Sequence, residues 1–240
     1  YTGPIVAAVA IFTMVTGVLG AAAHFDIRRI LSFHIVSQIG YMLFGIAVAT
    51  PLAVGGSILY VIHHIIVKAN LFLIAGAIER AGGSFHLKRL GGLYTSLPLL
   101  GVLFLIPALS LAGLPPLSGF WSKFTVIKAS LDAGHVVLAA TGLLVGLLTL
   151  YSMLKIWNEA FWKAAPAGTT ETVRGWQTDR RTRLLMLTPI VSLAAITLTI
   201  GLFAEPFVDF SLRAGAQLLD KSAYIDAVFG QPGQLAEANP

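Results

Sequence analysis

Apolar residues run along this chain in stretches of about 20 positions or more. Short clusters of charge, proline or glycine separate them. A helix needs roughly 20 mainly apolar residues to cross the hydrocarbon layer, so each run is long enough to span a membrane. In lipid the backbone amides must be satisfied internally, which leaves only helices and closed barrels. Barrel strands are runs of roughly 10 alternating residues, much shorter than these. Composition agrees: 56% of the 240 residues are hydrophobic and 11% are charged, with a mean hydropathy of +0.82. Soluble domains carry roughly 25% charged residues. The expected fold is an all-α, polytopic membrane bundle of about six transmembrane helices, one of them broken.

The first helix is expected from about Pro4 to His24, ending at the charged turn Phe25-Asp26-Ile27-Arg28-Arg29. The second follows from about Ile30 to Thr50 and stops at Pro51, where proline cannot continue it. The third spans about Leu52 to Ile78 and gives way to Glu79-Arg80 and a glycine-rich loop with Lys88 and Arg89. The stretch from about Pro98 to Leu131 is too long for one regular span, and Gly113-Leu114-Pro115-Pro116-Leu117-Ser118-Gly119 interrupts it. It reads as a broken helix. A fifth helix is expected from about His135 to Phe161 and a sixth from about Leu184 to Phe203, with Glu205-Pro206 ending it. Residues 1–204 then form the bundle, and 205–240 a partly amphipathic tail suited to the membrane surface. The chain opens at Tyr1 without an initiator methionine, and its first apolar run lacks a basic leader and a cleavage site. The expectation is a piece of a longer protein rather than a signal peptide.

The net charge of +5 could suit nucleic acid, but the basic residues sit in short loops, so no nucleic-acid partner is expected. Arg28 and Arg29 follow the first helix; Arg80, Lys88 and Arg89 the third; Lys163, Arg174, Arg180, Arg181 and Arg183 the fifth. The positive-inside rule places those three loops in the cytoplasm and both chain ends outside.

Ionisable groups within spans cost roughly 2.5–3.5 kcal/mol each on insertion scales, so they usually face a bundle interior and serve a function. Tyr60, His64 and Lys68 recur at i, i+4 and i+8 and stack on one face of the third helix, with His63 turned about 100° away. On the second helix, His34, Gln38 and Tyr41 share a face, with Ser37 at its edge. Lys123 lies just beyond the Pro115-Pro116 interruption. Irregular backbone at membrane depth is tolerated only beside protein or a water-filled cavity, so the break implies water near Lys123.

Burial disfavours the charged form of an amine, so a buried lysine can take and release a proton as its surroundings change. Histidine passes protons through its two ring nitrogens near neutral pH. Lys68, Lys123, His64, His63 and His34 are therefore the candidate proton path. A lone histidine on a helix is more often a packing residue. Mid-span lysine is harder to read that way, because its long stem would carry the charge to the interface if it could. Lys155 and Glu159, near the end of the fifth helix, read as interfacial anchors. Gly40, Gly45, Gly55 and Gly56 read as points of close helix contact. There is no cysteine, which excludes disulfides, thiolate zinc sites and cysteine-bound clusters. Without a phosphate loop or dinucleotide fingerprint either, no cofactor, metal or enzymatic reaction is expected.

Three runs carry a resemblance. They are Phe25-Asp26-Ile27-Arg28-Arg29-Ile30-Leu31-Ser32-Phe33-His34 with Ser37-Gln38-Ile39-Gly40-Tyr41-Met42; His63-His64-Ile65-Ile66-Val67-Lys68-Ala69-Asn70-Leu71-Phe72; and Leu111-Ala112-Gly113-Leu114-Pro115-Pro116-Leu117-Ser118-Gly119-Phe120 before Lys123. Together they resemble the antiporter-like proton-channel family, which includes membrane subunits of respiratory complex I and of Mrp-type cation/proton antiporters. The run Tyr151-Ser152-Met153-Leu154-Lys155-Ile156-Trp157-Asn158-Glu159-Ala160-Phe161-Trp162 is similar to the D-type subunits of the Mrp branch.

The resemblance implies helices nine to fourteen of a fourteen-helix core, that is, the second of two inverted repeats plus the final helix. Lys68 would then match the central lysine of helix eleven, and Lys123 the ionisable residue of the broken helix twelve, whose break is Gly113, Pro115, Pro116 and Gly119. The first repeat, with its glutamate-lysine pair, is absent. The implied function is proton translocation in a multisubunit sodium/proton antiporter of a bacterial plasma membrane. Its partners would be the other subunits, protons, Na+ and the bilayer. The proton-pumping arm of a complex I-like NADH:quinone oxidoreductase or membrane hydrogenase is the alternative. A cytochrome with His34, His63 and His64 as haem ligands fits less well, because adjacent His63 and His64 are poorly spaced for stacked haems. In a purely structural subunit, neutral substitution of both lysines would leave transport intact.

Overall fold

The computed structural model describes residues 2–166 and 169–222 together with Ile225 and Val228, with the backbone alone at 169–171. Helix α1 (Thr2–Ala23) is apolar and ends before Asp26, whose carboxylate accepts from the amides of Arg28 and Arg29 and opens α2 (Ile27–Met42). Such a cap satisfies amides that have no partner within the helix. After a bend at Leu43, the span continues through α3 (Phe44–Val48). Thr50 Oγ1 accepts from the Ala53 amide at 3.2 Å, and Pro51 begins α4 (Pro51–Gly82). Proline is harmless there, since the first amides of a helix are unpaired anyway. α4 continues past the expected end at Ile78 to Gly83, which takes the left-handed conformation at φ +75°. Arg80 in its last turn suits the helix dipole.

A 3₁₀ turn (Leu87–Arg89) and a short helix α5 (Leu93–Ser96) lead into α6 (Pro98–Ala112). α6 ends at Gly113, φ +96°, and α7 (Ser118–Asp132) resumes after a segment that contains the cis Pro115-Pro116 peptide. Ser118 and Gly119, expected within the break, already belong to the first turn of α7. α8 (Val136–Ile156) runs into a π-helical turn (Trp157–Trp162), followed by α9 (Thr169–Thr178), α10 (Arg180–Leu202) and α11 (Ala204–Leu219). Asp179 caps α10, and hydrogen bonds from Thr182 hold its carboxyl below the ordinary value. Within the tail, α11 packs along α4; residues 223–240, apart from Ile225 and Val228, lie outside the described residues.

Among the described residues, five segments are long and apolar enough to cross a membrane: Thr2–Ala23, Ile27–Val48, Pro51–Gly82, Val136–Trp162 and Arg180–Leu202. The broken pair α6 and α7 stands in place of the sixth. α4 is the axis on which α2, α6, α7, α10 and α11 pack. α1 and α2 pack closely, and a Cβ on Gly17 would fall 2.4 Å from the Ser37 nitrogen. Small residues permit this approach, which drives helix association in lipid.

Two apolar clusters bracket a polar layer. One includes Ile30, Leu31, Leu71, Ile74, Phe104 and Ile156; the other includes Met14, Tyr41, Phe44, Tyr60, Val126 and Val145. α2, α4 and α8 each pass from one cluster to the other. Between the clusters they bury His34, Ser37 and Gln38, then His63 and His64, then Thr149 and Ser152.

Candidate functional site

Tyr60 on α4 is the hub of the layer. Its hydroxyl donates to Gln38 Oε1 on α2, and Gln38 Nε2 donates to Thr149 Oγ1 on α8 at 3.4 Å. One chain of polar side chains thus crosses three helices. The Tyr60 ring stacks on Tyr41 at 5.1 Å between centroids and on His64 at 6.4 Å, and meets His63 edge-on at 5.7 Å. Tyr41 is anchored in turn through its hydroxyl to the Gly142 carbonyl.

The two lysines approach this aromatic group from opposite directions. Lys68 sits one helical turn beyond His64 and donates from Nζ to the Leu31 carbonyl at 3.0 Å. Lys123 donates to the Ala112 carbonyl at 3.0 Å, and its Nζ lies 4.7 Å from the centroid of the Tyr41 ring. Ala112 is the last residue of α6, so this oxygen is among those that a helix end leaves unpaired. The break itself supplies the oxygen that receives the lysine. Only 5% of Lys68 and 6% of Lys123 is exposed, so both side chains lie almost wholly inside the bundle. Among the described residues the ion pairs are Arg28–Asp26, Lys128–Asp132 and Lys163–Glu159; no carboxylate pairs with Lys68 or Lys123. An ammonium has three donors, and one of them on each lysine meets a protein oxygen.

Beside Lys123 the break opens on a groove of about 650 Å³ between α7 and α8, lined by Leu114, Phe120, Phe124, Leu143 and Leu147 among others. Among the described residues, Lys123 is the only charged one in its lining. Gly146 keeps the floor low: a Cβ there would stand 3.7 Å from the Tyr41 hydroxyl and 3.8 Å from Lys123 Nζ.

The other side of the break fixes His63. Its Nδ1 pairs with Ser118 Oγ at 2.8 Å, Ser118 pairs with Ser110 Oγ at 3.0 Å, and the Gly119 amide donates to Ser110 Oγ at 3.2 Å. A Cβ on Gly119 would lie 1.8 Å from the Ser110 carbonyl oxygen and 2.9 Å from His63 Cε1, so only glycine fits. Among the described residues, both ring nitrogens of His34, Nε2 of His63 and Nε2 of His64 are buried without a protein partner, as are the side-chain amide of Asn70 and Ser152 Oγ. Buried polar groups are rarely left so, and these retain free hydrogen-bonding capacity.

All five ionisable residues singled out from the sequence are therefore buried in or beside one layer. Gly113, Pro115, Pro116 and Gly119 lie in or next to the α6–α7 break, against which Gly201 of α10 packs. Ser110, Ser118 and Thr149 are contributors that sequence reasoning passes over, because a small hydroxyl in an apolar run looks like packing. Lys155, expected as an interfacial anchor, donates to the carbonyls of Ala22 and His24 at 2.7 Å each and closes the end of α1. Glu159 pairs with Lys163 at 2.9 Å.

A family model described as NADH:quinone oxidoreductase/Mrp antiporter, TM, matches residues 2–149. The D-type subunit of the Na(+)/H(+) antiporter of Alkalihalophilus pseudofirmus is 46% identical over 95% of this chain and 45% of its own length. Its counterpart of the same name from Bacillus subtilis is 36% identical over 91% of this chain and 43% of its own. Among solved structures, a chain of the Mrp complex from a Dietzia species superposes with a TM-score of 0.84 at 38% identity, covering 95% of this chain and 49% of that one. The chain spans a little under half the length of each.

Proposed function

The chain belongs to the NADH:quinone oxidoreductase/Mrp antiporter transmembrane family, and we propose that it carries a proton path in a multisubunit Na+/H+ antiporter of a bacterial plasma membrane. In this reading the protein is a transporter subunit rather than an enzyme, and it works with the other subunits of such a complex. The resemblance to two D-type Na(+)/H(+) antiporter subunits and to a chain of an Mrp complex supports it.

The observation that carries the reading is a pair of buried lysines, each without a carboxylate partner among the described residues, separated by a contiguous layer of tyrosine, glutamine and histidine. Insertion of such cations costs about 2.5–3.5 kcal/mol apiece, a cost that fold stability alone does not reward. The path runs from Lys68 to His64 one turn away, across the Tyr60–Gln38 pair and the Tyr41 ring to Lys123 at the break. His34 and His63 flank it with ring nitrogens free to accept or donate. A proton held on one lysine moves when hydration at the break or charge at the other lysine changes, because each site is stabilised by few fixed partners. The basic loops after α1, α4 and the π-turn set the cytoplasmic side.

The test is sodium-dependent dissipation of a pH gradient in inverted vesicles containing the whole complex. Lys68→Ala and Lys123→Ala lower exchange by about a hundred-fold, the scale for removing a positioned proton-transfer group. Unchanged exchange in both assembled variants overturns the path. Because the family description also covers NADH:quinone oxidoreductases, the same vesicles are assayed with respiratory inhibitors. Loss of pumping there replaces the antiporter reading with a redox-driven one.

A further inference from the structure

A second polar site lies at the C-terminal end of α1, apart from the Tyr60 layer. Where α1 gives way to α2, His24, Asp26, Arg28, Arg29, Ser32 and His86 line a pocket of about 560 Å³. We propose that it binds the headgroup of an anionic phospholipid.

The pocket is built on fixed backbone. The Ile27 amide donates to the Phe85 carbonyl at 3.0 Å and the Leu87 amide to the Phe25 carbonyl at 2.8 Å, so the α1–α2 turn and the loop after α4 move together. His24 is held through Nδ1 to the Gly20 carbonyl at 2.7 Å. The charge balance favours an anion. Among the described residues Asp26 is the only acid in the lining, and its carboxylate is occupied by the amides of Arg28 and Arg29 and by the Arg28 guanidinium at 3.6 Å. Arg28 also lies over the Phe85 ring at 4.0 Å, a cation–π contact that holds it in place. Among the described residues the Arg29 guanidinium has no partner. An arginine fork matches phosphate oxygens in geometry as well as charge.

The neighbouring surface selects a lipid over free phosphate. Arg29, Phe33 and Val36 follow one another on a face of α2 at i, i+4 and i+7. Phe33 and Val36 keep 37% and 43% of their surface exposed, and the Phe33 ring stacks on His24 at 4.8 Å between centroids. A charged pocket thus continues directly into an apolar seam, the outline of a headgroup with its acyl chain. α1 and α2–α3 are both long and apolar enough to span, so their junction lies at the edge of the bilayer. Its basic loop belongs to the cytoplasmic leaflet, where anionic lipids attract such segments.

The test uses the whole purified complex, stripped of lipid by detergent and titrated with phosphatidylglycerol, with phosphatidylcholine or with inorganic phosphate. Thermal unfolding reads binding. Phosphatidylglycerol raises the unfolding temperature of the parent, whereas phosphatidylcholine and inorganic phosphate do not. In Arg29→Gln the phosphatidylglycerol midpoint weakens about five-fold, the contribution of one basic residue near an anionic surface. Arg181→Gln, in the first turn of α10, leaves the midpoint in place. Equal stabilisation by phosphatidylcholine, reproduction of the shift by phosphate alone, or the same loss in Arg181→Gln each overturns the site. Sodium-dependent exchange is not needed for the readout, so the site stands or falls apart from the proton path.

Discussion

Tyr41 and Tyr60 lie with their rings 5.1 Å apart and 11° from parallel, yet their hydroxyls are committed to different helices. Tyr41 holds the Gly142 carbonyl of α8, and Tyr60 holds Gln38 of α2. The stack therefore joins two hydrogen-bonded arms, with Lys123 over one ring and His64 against the other.

The hydroxyl and the ring of Tyr60 are separable by substitution. Tyr60→Phe keeps the stack but leaves Gln38 Oε1 without its donor, at a cost of about 1–3 kcal/mol for a buried unsatisfied acceptor. Tyr60→Ala also removes the ring and costs about 3–5 kcal/mol. Proton-coupled exchange falls in Tyr60→Phe while the complex still assembles. If exchange falls only in Tyr60→Ala, the ring rather than the hydroxyl is what matters. Vesicle exchange normalised to assembled complex makes the comparison.

The lysines separate stability from function in the opposite sense. Methionine preserves the stem of each lysine and removes the ammonium. Lys68→Met and Lys123→Met are expected to raise the stability of the assembled complex, by up to about 3 kcal/mol on insertion scales, while abolishing exchange. Thermal unfolding in detergent measures the first effect and pH-gradient dissipation the second. A loss of stability in both variants would mean that the ammonium groups are structural ties to Leu31 and Ala112.

Some of this was legible in the sequence for plain physical reasons. Long apolar runs have one interpretation in lipid, Gly113 and Pro115-Pro116 cannot continue a helix, and Lys68 and Lys123 have no cheap reason to sit in a span. Helical periodicity gave the face that carries Tyr60, His64 and Lys68, but not what that face meets. Gln38 finds Thr149 at a separation of 111 residues, and Lys155 finds the end of α1 at 131 and more. Periodicity holds no information about such pairings. The bend at Leu43 and the π-turn at Trp157 lack a proline or glycine at the point of departure, so no local signal marks them.

Glycines at and away from the break respond differently to one added methyl. Gly119→Ala places a Cβ 1.8 Å from the Ser110 carbonyl oxygen, so backbone must shift and the Ser118 contact to His63 opens. Overpacking of this kind costs about 1–3 kcal/mol, and exchange falls with it. Gly175→Ala, with nothing within 4 Å of the new Cβ on α9, is neutral or stabilises by up to about 1 kcal/mol. Unfolding temperatures of the pair, read in the same complex, check both signs. Equal effects would mean that the contact at Ser110 relaxes without cost.

Lys155 tests whether every semi-buried lysine in this bundle belongs to the path. Its ammonium meets the carbonyls of Ala22 and His24, where the dipole of α1 ends, and it also lies 5.0 Å from the Phe25 ring. A cation at a helix C-terminus contributes about 0.3–1 kcal/mol when exposed and up to about 2 kcal/mol when partly buried. Lys155→Met is therefore expected to lower stability, opposite in sign to Lys68→Met and Lys123→Met. Lys155→Arg restores it, because a guanidinium can reach the same oxygens. Exchange per assembled complex stays close to the parent in both variants, since among the described residues no hydrogen bond connects Lys155 to the Tyr60 layer. A loss of exchange with stability intact would instead extend the path from Lys68 toward the end of α1.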